Sequence, residues 1–230
     1  MEGFSIFSAP HIITLLIIVL VSIGASCAYR RVPADKQDMI GLVMGIVIAL
    51  MDIAHYFGYY YVGELSVNAI PLHLCAMAVY LCLLHSIFRT DWLGQVLYVL
   101  CLPGAWCALI FPDWAGTPFF SYPSLHSFIE HGLIVIYIIM QTASGRIKPR
   151  LSKIWKPVVF LCAAVPAAAI ANGILGTNFM FINYPAPGSP LEFLAALAGG
   201  SHAVYLILFA LLAFIVMTIM LLPFTLRRRR

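Results

Sequence analysis

A cysteine and a histidine within reach of each other can run acyl transfer: the imidazole removes the thiol proton and the thiolate attacks an ester carbonyl. Cys75 stands in the run Ile70-Pro71-Leu72-His73-Leu74-Cys75, and two histidines, His126 and His131, share a later apolar stretch. His131 is the first candidate for the base and His126 the second. Five residues apart, they stand roughly 140° around a helix and cannot face one point equally well. His73 and Cys75, two apart, would stand about 200° apart on a helix, so one of them serves packing or a neighbouring helix. Asp52 and His55 are three apart and share a helix face, where a carboxylate orients an imidazole. The competing readings are a structural hydrogen bond for Asp52 and His55, and plain burial for Cys75. Seven histidines and six cysteines supply no H-E-x-x-H and no C-x-x-C, so neither a metal nor another cofactor is expected.

Apolar segments must position these residues. The chain is 63% hydrophobic and 10% charged, which excludes a soluble domain and fits a single membrane domain over residues 1–230. A span needs about 20 apolar residues, and seven segments qualify: 11–29, 38–62, 70–88, 92–111, 124–143, 154–175 and 203–223. All thirteen Lys and Arg residues follow the first, third, fifth or seventh of these, ending in Arg227 to Arg230. Positive residues are retained on the cytoplasmic side, so the expected fold is all-α, a multi-pass cell-membrane protein with its amino terminus outside and its carboxyl terminus inside. The net charge of +4 is then a loop and lipid-headgroup feature rather than a nucleic-acid footprint. The first ten residues carry an acid and no Lys or Arg, so 11–29 is expected to be a retained helix rather than a cleaved leader.

This topology assigns depth. Asp52, His55, His73, Cys75, His126, Glu130 and His131 all fall in the outer half, with His11 and His202 at outer helix ends; His85 is the one histidine near the inner end. Titratable residues inside spans face the bundle interior, so an outer polar cavity is expected. The inner half, with only His85, offers no cavity and no transport path. Pro71 is expected in the first turn of the third span, and Pro103 and Pro166 at kinks. Trp92 and Trp155 fall near inner ends and Trp114 just past an outer one, as belt residues do. The cysteines other than Cys75 read as small buried hydrophobes. The long outer connection 176–202 is too apolar for a solvated loop and reads as a re-entrant segment or lid, or as a passive plug. Ser189-Pro190-Leu191-Glu192 within it is a capping box that starts a short helix.

Three short blocks carry a family resemblance. The run Pro71-Leu72-His73-Leu74-Cys75 resembles the PLHLC motif of the YwaF-type bacterial integral membrane proteins. His131-Gly132 resembles their second block, and Gly176-Thr177-Asn178-Phe179-Met180 their GTNYM segment, with Phe179 where the family often has Tyr. That family is similar to a eukaryotic transmembrane acyltransferase of ether phospholipids, and more distantly to the androgen-induced-type transmembrane lipid-ester hydrolases. The resemblance implies Cys75 and His131 as the catalytic pair, with Asn178 near the mouth of the site. His73, Asp52, His55 and His126 complete the expected substrate-binding set, and the expected partner is a membrane phospholipid or lysophospholipid. The implied reaction is acyl transfer between lipids through an acyl-cysteine; a hydrolase using the same pair, or a non-enzymatic transporter or binding protein, are the rivals.

The topology is directly testable. Reporters fused to the two termini should label opposite compartments, and replacing Arg227 to Arg230 by Ala should not invert the protein, because the remaining basic loops hold its orientation. Both reporters in one compartment would sink the seven-span reading.

Overall fold

The computed structural model describes residues 3–61, 63 and 65–227. It is 76% helix, with no strand among the described residues, as expected of a chain whose backbone must satisfy itself in hydrocarbon. In chain order the helices are α1 (Ala9–Tyr29), α2 (Ala34–Tyr61), α3 (Leu74–Phe88), α4 (Asp91–Val96), α5 (Leu102–Ile110), α6 (Tyr122–Ala143), α7 (Trp155–Leu175), α8 (Pro190–Leu197) and α9 (His202–Arg227). Six segments are long and apolar enough to cross a membrane: α1, α2, the joined α4 and α5, α6, the stretch around α7, and α9. The third expected span is shorter, because α3 has only 15 residues. Pro71 drives the preceding Ile70 out of helical conformation, to ψ 129°. The chain then turns tightly about Pro71, with Leu72 N donating to Ile70 O at 2.7 Å, and His73, at ψ 145°, is the N-cap of α3. Pro71 therefore lies outside the helix rather than in its first turn.

Pro103 falls in the first turn of α5, directly after a π-turn over Leu97–Cys101. A proline has no N–H to offer the carbonyl four residues back and its ring crowds that carbonyl; the wider turn relieves both. The helix from Asp91 to Ile110 thus runs on through the proline. At Pro166, α7 likewise continues unbroken.

The centre of the bundle is α6 with the α4–α5 helix and α3. Val79, Cys82, Leu97, Cys101, Ile134 and Ile138 are fully buried there. The outer helices α1, α7 and α9 leave large apolar side chains such as Leu20, Ile174 and Ile207 exposed, as lipid-facing helices do. Of the cysteines expected to be buried, Cys82 and Cys101 are, whereas Cys27, Cys107 and Cys162 lie on exposed surfaces. Where a helix has no water to hide from, a small apolar thiol gains nothing by burial.

Ion pairs gather the basic loops at one end. Asp38 accepts from Arg89 at 2.8 Å and also from Arg146, while Asp91 pairs with Lys153 and Lys156. Arg228 to Arg230 lie outside the described residues. At the other end His11 is a structural staple, its Nε2–H donated to Leu109 O at 2.8 Å and its Nδ1 accepting from Phe7 N at 2.9 Å. His202 is spent similarly, on Ile182 O. The histidine-rich end is thus partly architecture.

Glycines let α2 approach its neighbours. A Cβ at Gly45 would meet Ser86 Oγ at 2.7 Å and Leu83 Cα at 3.1 Å, and one at Gly41 would meet Gln141 Nε2 at 2.7 Å. Because Leu83 Cα is backbone, Gly45→Val should push α2 from α3 and lower stability by about 1–3 kcal/mol. Thermal unfolding in detergent reads this out, and an unchanged midpoint would mean that the two helices do not pack as described.

Candidate functional site

Cys75 is the second residue of α3 and is partly exposed. Its position follows from the short helix: His73, as N-cap, makes no side-chain hydrogen bond to the first turn, so the first N–H groups of α3 stay uncapped beside the thiol. His73 is also not helical, at φ −72° and ψ 145°. The expectation that His73 and Cys75 diverge by helical spacing therefore falls away. The His73 ring turns toward the 177–184 segment, where its Nδ1 accepts from Met180 N at 3.3 Å and its ring packs on Phe179 and Phe181.

His131 is buried on α6. Its Nδ1 lies 2.7 Å from Ser127 O. A carbonyl only accepts, so Nδ1 carries the proton and Nε2 keeps a free lone pair, the tautomer a general base needs. Trp114 stacks on the ring at 5.2 Å and 29°, and packs edge-on against Phe128. Trp114 is therefore a wall of the site rather than a membrane-belt residue. Its neighbour Asp113 lies within electrostatic reach of His73, Cys75 and His131 together. Sequence reasoning passed over Asp113 because it lies in a loop; the one available signal was its place beside Trp114 in Phe111-Pro112-Asp113-Trp114. Among the described residues no hydrogen bond joins Cys75 to His131.

A second polar group lies between α2, α3 and α6. Asp52 does not orient His55 as its spacing suggested. It accepts from Tyr80 Oη at 2.7 Å and lies against Glu130 and Tyr56. His55 instead stacks on His126, with ring centroids 3.9 Å apart and planes 14° apart, and its Nδ1 is 3.3 Å from Tyr122 Oη. The acid and the imidazole, though on one helix face, each find a closer partner across the interface. Glu130 bridges the two groups, lying against Asp52 and within electrostatic reach of Cys75. Tyr56, Tyr80 and Glu130 join the site; the tyrosines escaped notice because aromatic residues in an apolar run carry no signal of their own. Among the described residues no cluster of three or more His, Cys, Asp or Glu has metal-binding geometry.

The part of the 176–202 connection that packs on His73 is the turn Phe179–Phe181, not the short helix. Gly176 ends α7 at φ 67°, and Met180 and Phe181 follow at φ 58° and 53°. Left-handed backbone costs a side-chain-bearing residue on the order of 1–2 kcal/mol, so something must hold the turn. Asn172 does. Its Oδ1 accepts from Thr177 Oγ1 at 2.8 Å and from Phe179 N at 2.6 Å, and its Nδ2 donates to Phe179 O at 3.1 Å. Asn178, the residue expected at the mouth, spends its amide on the same loop, donating to Tyr184 O and accepting from Asn183 N. Helix α8 forms where the capping box lay, with Ser189 Oγ accepting from Leu191 N at 3.3 Å, but it packs on α9 and buries none of its own residues.

The turn gives a stability test. Asn172→Ala would leave the Phe179 N–H and carbonyl buried without partners, at a cost of about 1–3 kcal/mol for each unsatisfied group. Amide exchange should accelerate across 177–184 while the centre of α6 stays protected; unchanged exchange at Phe179 would remove Asn172 as the holder of the turn.

No curated protein and no solved structure matches the chain. The profile of the TMEM164 family does, over residues 6–221, from the turn before α1 nearly to the end of α9. A match of that extent, on a bundle with six helices built to cross a bilayer, assigns the chain: it is a multi-pass membrane protein of the TMEM164 family.

Proposed function

We propose that this protein is a membrane-embedded acyltransferase that moves a fatty acyl chain between lipids through an acyl-Cys75 intermediate. The single observation that carries this reading is the 2.7 Å contact of His131 Nδ1 with Ser127 O. That carbonyl accepts a hydrogen bond from Nδ1–H, so the Nε2 lone pair is free at the end of the bundle where Cys75 is partly exposed. In the first step His131 Nε2 accepts the thiol proton, Cys75 Sγ attacks the ester carbonyl, and the lysolipid oxygen leaves with the proton from His131. In the second step an acceptor hydroxyl gives its proton to Nε2 and attacks the thioester, which returns the thiol. The uncapped N–H groups of the first turn of α3, with His73 as a further donor, are suited to the oxyanion. Asp113 favours the imidazolium that forms transiently, and Trp114 fixes the ring plane. Asn178 acts through the turn it holds rather than by touching substrate. Asp52, Glu130, His55 and His126 form a polar wall for a lipid headgroup.

In this reading α3, with the turn that precedes it, makes the seventh crossing of the cell membrane, with the basic end cytoplasmic and the site near the outer leaflet. Phospholipid esters lie at that depth, whereas acyl-CoA is cytoplasmic and charged. The donor is therefore a phospholipid and the acceptor a lysophospholipid.

The test supplies purified protein in nanodiscs with labelled phospholipid or labelled acyl-CoA, and a lysolipid acceptor. Cys75→Ala should lower transfer from phospholipid about a thousandfold or more, and His131→Ala at least about a hundredfold. Both variants should remain folded. Full activity in folded Cys75→Ala would falsify the thioester route, transfer from acyl-CoA alone would exclude the phospholipid donor, and fatty acid released with no acceptor consumed would make the enzyme a hydrolase.

A further inference from the structure

The basic end of the bundle holds a cavity of about 320 Å³, which the apolar pattern of the sequence did not announce. Its walls include Asp38 of α2, His85 and Arg89 of α3, Tyr137 of α6, and Arg146 and Lys148 of the loop after α6. It is remote from Cys75: His85 is ten residues further along α3, about 15 Å down the helix axis. Fully buried core residues lie between.

The cavity is built rather than incidental. Gly145, at φ 78°, turns the chain out of α6, and the N–H groups of Arg146 and Ile147 both return to Gln141 O. Gln95, buried on α4, then clamps the loop by donating to Lys148 O at 2.8 Å and accepting from Arg150 N at 3.2 Å. Ile147 plugs the loop into the core and packs closely on Gly94, where an added Cβ would meet it at 3.3 Å. Arg146 is aimed by three acceptors, Gln37 Oε1, Ala34 O and Asp38. At the cavity wall His85 Nδ1 lies 2.8 Å from Tyr137 Oη.

The charges do not cancel. Arg89 and Arg146 share the single Asp38 carboxylate. Lys148 has no ion pair among the described residues, and Asp91 is already held by Lys153 and Lys156. Three cationic groups, Arg89, Arg146 and Lys148, thus line a concave, hydrogen-bond-rich space with two carboxylates, Asp38 and Asp91, and Asp91 is neutralised by lysines outside the lining. Guanidinium groups at a fixed spacing, with an ammonium beside them, match the oxygens of a phosphate. We propose that this cavity is an anion site that takes a phosphate group, carried either by a phospholipid headgroup of the adjoining leaflet or by a soluble phosphate ester. The site stands independently of the acyl-transfer reading.

The sign of two substitutions separates a binding site from a structural ion-pair cluster. In phospholipid-free detergent, inorganic phosphate should bind the wild-type protein and raise its unfolding temperature. Lys148→Gln, which breaks no ion pair, should weaken phosphate binding about tenfold. Asp38→Asn should strengthen it, because the competing carboxylate is gone. Native mass spectrometry from phosphatidylglycerol nanodiscs forms the second arm. Lipid retained by the wild type and lost in Lys148→Gln assigns the headgroup, while phosphate binding without retained lipid assigns the soluble ester. The proposal is overturned if neither probe binds, or if folded Lys148→Gln binds as the wild type does. It is equally overturned if Asp38→Asn weakens binding as Lys148→Gln does. Should Asp38→Asn fail to fold, Lys148→Gln decides alone.

Discussion

Hydrocarbon offers no hydrogen bonds, and that one constraint arranges this molecule. Every polar side chain along the bundle must find a partner inside the protein or lie near an end. The chain does both, at two places. At one end carboxylates and basic loops pair, with Asp38 taking two guanidinium groups and Asp91 two ammonium groups. At the other, histidines, tyrosines and acids interlock across α2, α3 and α6. Between them lies a layer of small and branched apolar residues, Ala78, Val79, Ile134 and Ile138, that separates the two polar regions.

Much of the architecture was legible because one polar–apolar pattern governs it. The apolar runs and their lengths set the helices, and the parity of Arg and Lys put the basic loops together. Those loops do meet, through Arg89, Arg146 and Asp38. What escaped the pattern was local backbone chemistry. Pro71 shortened α3 through its effect on Ile70, and Pro103 is preceded by a π-turn that widens the helix beside it. A hydropathy window averages over these details; the carbonyl and the proline ring do not.

The candidate site was legible in type but not in pairing. Cys75, His73 and His131 each lie within electrostatic reach of Asp113, a residue outside every helix, while His73 and His131 take their bonded partners from different segments. Asp52 and His55 shared a helix face and still parted, because Tyr80 and His126 approach from other helices. Helical spacing fixes direction, but the neighbour that arrives from across the interface decides the bond. The polar residues at the basic end were missed for a related reason: Tyr137 and Gln141 sit singly in apolar runs, and only the fold brings them to His85 and Arg146.

The brevity of α3 has a consequence for the bilayer itself. Its 15 residues span about 22 Å at 1.5 Å each, against a hydrocarbon core of about 30 Å. Its neighbours α2 and α6, with 28 and 22 residues, are long enough for the full thickness. On the seven-crossing reading proposed above, so short a helix leaves a deficit of hydrophobic length, and lipids meet such a deficit by thinning. The N-cap at His73 puts the deficit at the histidine end. On that reading the leaflet dips toward the first turn of α3, and the interface, with its water and ester groups, moves down to Cys75 without the thiol having to rise to meet it.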